Sequence, residues 1–517
     1  MKKLISVVLC LIMVFGVFVI PASARTTNYI NCEQAMVNAV SSYKSSLDVS
    51  GYNLHYTQIQ DIFAKIYHYY PELMFYLSND DSIINYNTYS GTATKVTFYY
   101  TKSKSVVTES KKLLDKVADS VLEQIDDNWT DMQKALYVHD WIAVNYHYDM
   151  DLYFDEGNEI HFMMDMMKNG RGVCQAYSQT FLYFMRKLGI SVNMVMSITD
   201  NHSWDIIKLD GRWYHVDVTY DDPIINTNLN VDFDYLGRVQ HDHFLLSNSE
   251  ITADGQHDNW FIPYETDEIV SAYYSYNGNS AFKDAVSAMI PMDDGYWYYV
   301  GCASNYQGLT RTKNFYNVDV IYNLNNFWYD SNGYKYNTYF TALYELNGNL
   351  LFLDSEKLYV YDCETGNVNG LWYITNTADG RFYGLDMDGE ICTFLISKDA
   401  YGVGAHLEST HICNGNHLVE KWETVTEATM FQNGYRICYC DICLDVISEE
   451  YLDMLPVPKG AGDADGDGSV TVSDLAVEKL HLAGAYGKAL SSGADFNKDS
   501  VINTEDLSCI KLYLATR

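Results

Sequence analysis

Three residue types that together can cleave an amide stand close along this chain: Cys174, His202 and Asp217. Cys174 follows Gly170-Arg171-Gly172-Val173, a flexible loop that runs into a helix-periodic segment closed by Leu188-Gly189. A thiol at a helix start meets unpaired N–H groups and the positive end of the helix dipole, and both favour the nucleophilic thiolate. Downstream, Asn201 to Ile207 alternates as a strand, Asp210-Gly211 forms a turn, and Arg212 to Thr219 returns as a second strand. With Leu209 opposite Arg212, Trp204 falls opposite Asp217, and His202 lies diagonally from Asp217 on the same face. Asp217 could then orient the imidazole, and His202 could pair with the thiol. Taken singly, each residue has a plainer reading: a small buried hydrophobe, a hydrogen-bonded sheet histidine and a strand-end turn residue.

A second chemistry lies near the C-terminus. Asp463, Asp465, Asp467 and Asp474 take positions one, three, five and twelve of a twelve-residue loop. Gly468 stands at the sixth-position turn, and Ser469 offers its carbonyl at position seven. Alternating oxygens around one point are what Ca²⁺ requires. The pattern recurs as Asp495, Asn497, Asp499 and Asp506, with the carbonyl of Val501, while Ser500 replaces the turn glycine. Each loop leads into a helix with leucine and lysine at matching places, Leu475 and Lys479, then Leu507 and Lys511. Two loops in register, each with the same following helix, exceed what an acidic tail would produce by chance, so two Ca²⁺ sites are expected.

A third set is Cys413, His417, Cys440 and Cys443, a candidate tetrahedral Zn²⁺ site. Cys438 is a rival ligand, and disulfides or plain buried thiols are the alternatives.

The elements that must position these groups can be read in outline. Lys2-Lys3, an apolar run to Ile20 and Ala22-Ser23-Ala24 have the layout of an export signal over 1–24, which implies a secreted protein. No later run is apolar and long enough to span a bilayer. The net charge of −34 argues against nucleic-acid and anionic-membrane partners. Leu54 to Tyr70 reads as a helix stopped by Pro71, and Lys95 to Tyr100 as a strand. Leu113 to Ile125 and Met132 to Tyr146 read as helices, the second with cap candidates Asn128, Thr130 and Asp131. Asp294-Gly295, Asn347-Gly348 and Asp379-Gly380 each precede an aromatic strand, giving propeller-like hairpins too few to close a ring. The expected architecture is multidomain. An N-terminal α/β region covers 25–110, an α+β catalytic domain 111–265 and a β-rich accessory domain 266–400. A Cys-rich segment covers 401–455, a linker 456–461 and an all-α calcium module 462–517.

Two resemblances sharpen this outline. Gly172-Val173-Cys174-Gln175-Ala176-Tyr177-Ser178, His202-Ser203-Trp204-Asp205 and Trp213-Tyr214-His215-Val216-Asp217 together resemble the bacterial transglutaminase-like superfamily. The segment His243 to Ser247 matches as well. That likeness implies a papain-like fold with Cys174 as nucleophile, His202 as general base and acid, and Asp217 as orienting carboxylate. Asp205 stands where the family often has Asn. The segment from Gly462 resembles a type I dockerin, which implies a cohesin partner on a scaffoldin and an extracellular, cellulosomal setting. In that family partner choice sits at loop positions ten and eleven, here Val472-Ser473 and Thr504-Glu505, with Lys479 and Lys511 on the following helices. The two pairs differ, which argues against a symmetric dual binding mode. The combined expectation is a cysteine peptidase or amidase, or an acyl transferase, acting on protein, peptide or cell-wall polymer. The alternatives are a noncatalytic polysaccharide- or protein-binding component and a carbohydrate-active enzyme.

Overall fold

The computed structural model describes residues 25–149, 161–224, 236–264, 276, 281–303, 306–324, 327–329, 335–337, 341–373, 380–398, 404–413, 417 and 419–516. Residues 1–24, expected to be an export signal, and the turn residue Asp379 lie outside them. The chain forms two compact units, 1–411 and 412–517.

The first unit opens with helix α1 (Thr27–Ser41), strand β1 (Ser46–Asp48) and helix α2 (Tyr56–Tyr69), the last begun by a His55–Gln58 capping box. Pro71 does more than stop that helix, because it starts the short helix α3 (Pro71–Met74), where a missing N–H costs nothing. Strands β2 (Leu77–Tyr86) and β3 (Ala93–Tyr100) complete a sheet of order β1-β3-β2. Helix α4 spans Lys104–Leu122, starting well before the expected Leu113. Ser103 caps it, and its first turns are largely polar, so periodicity alone does not reveal them. Helix α5 (Asp131–Asn145) starts at Thr130, which forms a capping box with Gln133.

Next come strand β4 (His147–Tyr148), helix α6 (Met163–Asn169), strand β5 (Arg171–Gly172) and helix α7 (Cys174–Lys187). Strands β6 (Val192–Ser197), β7 (His202–Leu209), β8 (Arg212–Val216), β9 (Phe244–Leu246) and β10 (Trp260–Phe261) form one five-stranded sheet, order β10-β6-β7-β8-β9. Between β8 and β10 lie the short helices α8 (Val218–Asp221) and α9 (Asn248–Ile251). The sheet is covered on both faces. Ile207, Leu209, Tyr214 and Val216 join the main core with Phe181 and Phe184 of α7. Trp204, Ile206, Trp213 and Val195 form a separate cluster. The main core also takes in Tyr29, Ile62 and Phe98, so the N-terminal region packs with the helix that carries Cys174.

The accessory β region follows. Strands β11 (Ile290–Pro291), β12 (Trp297–Ala303), β13 (Tyr306–Thr312) and β14 (Asp319–Asn323) make one antiparallel meander. After the pair β15 (Phe327–Tyr329) and β16 (Lys335–Asn337), strands β17 (Leu343–Leu346), β18 (Asn349–Leu353), β19 (Lys357–Asp362) and β20 (Val368–Tyr373) make a second. A three-stranded sheet of β21 (Arg381–Asp388), β22 (Ile391–Ser397) and β23 (His406–His411) ends the unit, so this last sheet runs past residue 400.

The second unit holds a three-stranded sheet, β24 (Glu420–Thr426), β25 (Gly434–Cys440) and β26 (Val446–Leu452), then helices α10 (Val472–Leu482) and α11 (Thr504–Ala515). Its core gathers Ala461, Ala464, Ala494, Phe496 and Ile510, with Phe431 and Val457 packed against them. Within the expected linker 456–461, Val457 packs against this core and Ala461 belongs to it, while Pro456, Lys459 and Gly460 are exposed.

Candidate active site and metal-binding loops

Cys174 is the first residue of α7. The parallel pair β4–β5 delivers the chain to it, His147 beside Arg171 and Tyr148 beside Gly172. Gly172 leaves no room for a side chain, since a Cβ there would stand 2.8 Å from the Met166 side chain. Val173 precedes the helix without a side-chain cap, so the N-terminal end of the helix faces the thiol uncovered by a capping side chain.

In the β7–β8 hairpin Leu209 pairs with Arg212 and Asp205 with Val216. Asp210 and Gly211 both adopt left-handed backbone, as a two-residue turn of this hand requires. His202 opens β7, and Asp217 closes β8 as the N-cap of α8. His202 Nε2 lies 2.5 Å from Asp217 Oδ2. Asp217 Oδ1 accepts from the backbone N–H groups of Thr219 and Tyr220, which fixes the carboxylate. Trp204 stacks on the His202 ring at 5.5 Å between centroids, and Tyr220 meets it edge-on at 5.0 Å. With Nε2 engaged by Asp217, Nδ1 is the ring nitrogen left for the thiol.

The electrostatics follow from these contacts. Burial opposes ionisation of Cys174, but the hydrogen bond and charge of His202, with the Ser203 N–H, outweigh it and hold the thiol below its ordinary range. Burial likewise opposes charge on His202, yet Asp217 and the thiol raise its pKa to about 10. Asp217, although buried, is held well below the usual carboxylate range by His202 and His257. The arrangement favours a thiolate–imidazolium pair. Asp205 behaves in the opposite way. Burial raises its pKa well above the ordinary value and so favours the uncharged acid, which is close to an asparagine in shape and charge.

A longer polar chain continues from the triad, and sequence reasoning missed it. His257 Nε2 also reaches Asp217 Oδ2, at 2.8 Å, and His257 Nδ1 faces Asp254. Asp254 contacts His243, and His243 contacts Asp221. Asp221 meets His139 Nε2 at 3.1 Å, His139 Nδ1 meets Asp140 at 2.7 Å, and Asp140 meets His241 Nε2 at 2.9 Å. The one local signal was the run His241-Asp242-His243. A cleft of about 930 Å³ elsewhere in this unit is lined by Trp129, Tyr137, Trp141, Tyr296 and Trp297, and by Asp140 but no triad residue.

In the second unit the two acidic loops are built alike. Asp463 accepts from the N–H groups of Gly466 and Gly468, and Asp495 from those of Asp499 and Ser500. Asp474 reaches back to Asp465 and Thr471, and Asp506 to Phe496 and Asn503. Asp465, Asp467, Asn497 and Asp499 are hydrogen-bonded within the same loops, and Ser469 and Val501 follow the sixth-position turns. Hard oxygen donors with carboxylates at both ends fit Ca²⁺, which Asp463, Asp465, Asp467, Ser469 and Asp474 would hold in the first loop. Val472, Ser473, Lys479, Thr504, Glu505 and Lys511 are all exposed.

Cys413, His417, Cys440 and Cys443 come together with all ligand atoms within 4.8 Å of one another. Cys413 Sγ lies 3.6 Å from Cys440 Sγ, and Cys443 Sγ lies 3.6 Å from His417 Nδ1. A tetrahedral Zn²⁺ site has ligand edges of roughly 3.4–3.8 Å, so the donor set fits. Cys438 is outside this group, and no disulfide forms among the described cysteines. No described helix is long and apolar enough to cross a membrane.

Comparison with known proteins bears on both ends of this description. The family model for the transglutaminase-like superfamily matches residues 116–218, and that for the dockerin type I domain matches 461–515. Among curated proteins none matches. Among solved structures, one described as a TGase is 14% identical with a TM-score of 0.20, covering 28% of this chain and 44% of its own. Another, named "Putative Cysteine Protease" from Cytophaga hutchinsonii, is 20% identical with a TM-score of 0.17, covering 25% and 51%. The chain thus spans about half the length of these structures. This chain carries a transglutaminase-like core domain at 116–218 and a type I dockerin domain at 461–515.

Proposed function

We propose that the protein is a secreted, cellulosome-associated cysteine hydrolase acting on amide bonds of proteins, peptides or cell-wall polymers. The observation that carries this reading is the contact of His202 with both the Cys174 thiol and Asp217. Cys174 attacks the carbonyl carbon while its proton rests on His202 Nδ1, giving a tetrahedral oxyanion and an imidazolium held by Asp217. The oxyanion lies toward the uncapped start of α7, where the Cys174 N–H can donate to it. His202 then protonates the leaving amine and a thioester forms. Water, deprotonated by His202, resolves the thioester to an acid and the free thiol, and an amine in its place would give transfer. Hydrolysis is the preferred outcome.

The dockerin tethers the enzyme to a cohesin on a scaffoldin through Ca²⁺ loops, with Val472, Ser473, Thr504 and Glu505 as selecting positions. Zn²⁺ held by Cys413, His417, Cys440 and Cys443 would cross-link the small sheet of the second unit. A turnover screen on casein, peptidoglycan peptides and plant polysaccharide, run with wild type and Cys174→Ala, tests the reading. Amide turnover that survives in Cys174→Ala would overturn it.

The aromatic cleft favours a second reading, a polysaccharide- or protein-binding component. Retention on insoluble glycan without any turnover would support that reading instead.

A further inference from the structure

Among the described residues, His243, Asp254 and His257 form a group with ligand atoms within 4.8 Å of one another. Asp254 Oδ2 lies 3.3 Å from His243 Nε2 and 3.0 Å from His257 Nδ1. A late divalent metal with ligand bonds of about 2.0–2.1 Å separates neighbouring ligands by roughly 3.3 Å in a tetrahedral shell. These contacts are therefore already close to the edges of such a shell. Asp254 is 32% exposed and His243 18%, so the group opens to solvent on the Asp254 side, while His257 is fully buried.

The outer contacts point the same way. The second nitrogen of each histidine meets a buried carboxylate: His257 Nε2 faces Asp217 at 2.8 Å, and His243 Nδ1 faces Asp221 at 3.3 Å. A carboxylate behind each imidazole is the usual support of a ligating histidine, because it fixes the tautomer that aims the other nitrogen's lone pair at the metal. Here both histidines have it, so a proton kept on the carboxylate side of each ring would leave His243 Nε2 and His257 Nδ1 to face Asp254. Two imidazoles and one carboxylate suit Zn²⁺ or a neighbouring late first-row ion, and they are too poor in oxygen for Ca²⁺ or Mg²⁺.

We propose that His243, Asp254 and His257 bind one late divalent metal ion such as Zn²⁺, with the remaining coordination positions open to solvent. The site shares Asp217 with the triad, so the metal would sit one histidine away from the carboxylate that orients His202. Binding does not depend on whether the thiol is catalytic.

The test is Co²⁺ titration of the full chain, after metal removal and with Ca²⁺ saturating. Co²⁺ on thiolates gives intense near-ultraviolet charge-transfer bands, whereas Co²⁺ on His₂Asp gives only weak visible bands, so this site and the Cys413 group separate in one spectrum. The expected result is one equivalent of weak-band Co²⁺, displaced by Zn²⁺ and still present in the Cys440→Ser/Cys443→Ser variant. Asp254→Asn, at the exposed rim, should weaken it at least a hundredfold, beyond the effect usual for losing an outer partner. His243→Gln provides a second variant should the first misfold by circular dichroism. Absence of the weak-band equivalent in wild type, or its persistence at wild-type affinity in both variants, would overturn the proposal.

Discussion

Ser500 adopts the same left-handed backbone, φ +74°, that Gly468 adopts at φ +89° in the sixth position of the other acidic loop. Glycine does this freely, whereas a side chain there costs about 1–2 kcal/mol. Ser500→Gly should therefore stabilise the loop by about 1 kcal/mol and tighten the second Ca²⁺ site roughly fivefold. Asp467→Ala, which removes a ligand, should weaken the first site by more. Calorimetric Ca²⁺ titration of the chelator-treated chain measures both.

The triad residues should separate by role. Cys174→Ala or His202→Ala abolishes amide turnover and leaves the circular dichroism spectrum unchanged. Asp217→Asn lowers kcat by roughly 10²–10⁴ and leaves a residue of activity, because nucleophile and base remain while orientation is lost. Equal loss in all three variants would show that Asp217 does more than orient.

Alkylation should show the lowered thiol. An ordinary cysteine loses about tenfold in thiolate per unit of acidification below about 8.5. Iodoacetamide labelling of Cys174 should instead persist to lower pH than that of an ordinary cysteine. Turnover should fall as pH rises toward about 10, where His202 loses the proton it must deliver. The stability linkage has a definite sign. The raised His202 value adds stability that is full below 6.5 and lost as pH climbs through about 10. The depressed Asp217 value adds stability present above 3.8, which is given up only in stronger acid.

Asp205→Asn should be active and more stable. A buried acid with a raised folded-state pKa loses stability as pH rises above its unfolded value of 3.8. The amide has no such loss, so the gain in Tm should be larger at pH 8 than at pH 5, about 2–4 °C per kcal/mol recovered. Equal Tm gains at both pH values would remove the explanation.

One equivalent of thiolate-bound zinc should copurify with the wild-type chain and be lost in Cys440→Ser/Cys443→Ser, whatever metal His243, Asp254 and His257 retain. Disulfides mapped by mass spectrometry among Cys413, Cys440 and Cys443, with no bound metal, would eliminate the zinc site.

Local chemistry explains which of these features were legible from sequence. The hairpin register followed from Asp210-Gly211, because a two-residue turn leaves one pairing, and His202 with Asp217 came with it. The helix start at Cys174 followed from the glycines before it and the periodicity after it. The ligand loops could be read because their spacing is fixed by one turn of chain. His257 could not be read, since it meets Asp217 across 40 residues, and His241 meets Asp140 across 101. No periodicity encodes a contact made through tertiary packing. The start of α4 was hidden for another reason, a polar first stretch held by a cap.

The separations in sequence also order the assembly of the site. The His202–Asp217 contact closes a loop of 15 residues, His257–Asp217 one of 40, His139–Asp221 one of 82, and the Met289–Asp140 link to the accessory sheets one of 149. Loop-closure entropy rises with length, and contacts local in sequence form soonest. The imidazole–carboxylate pair should thus exist while the outer histidines and the β meanders are still unplaced. By that ordering the hairpin should form early and gather the rest of the site around it.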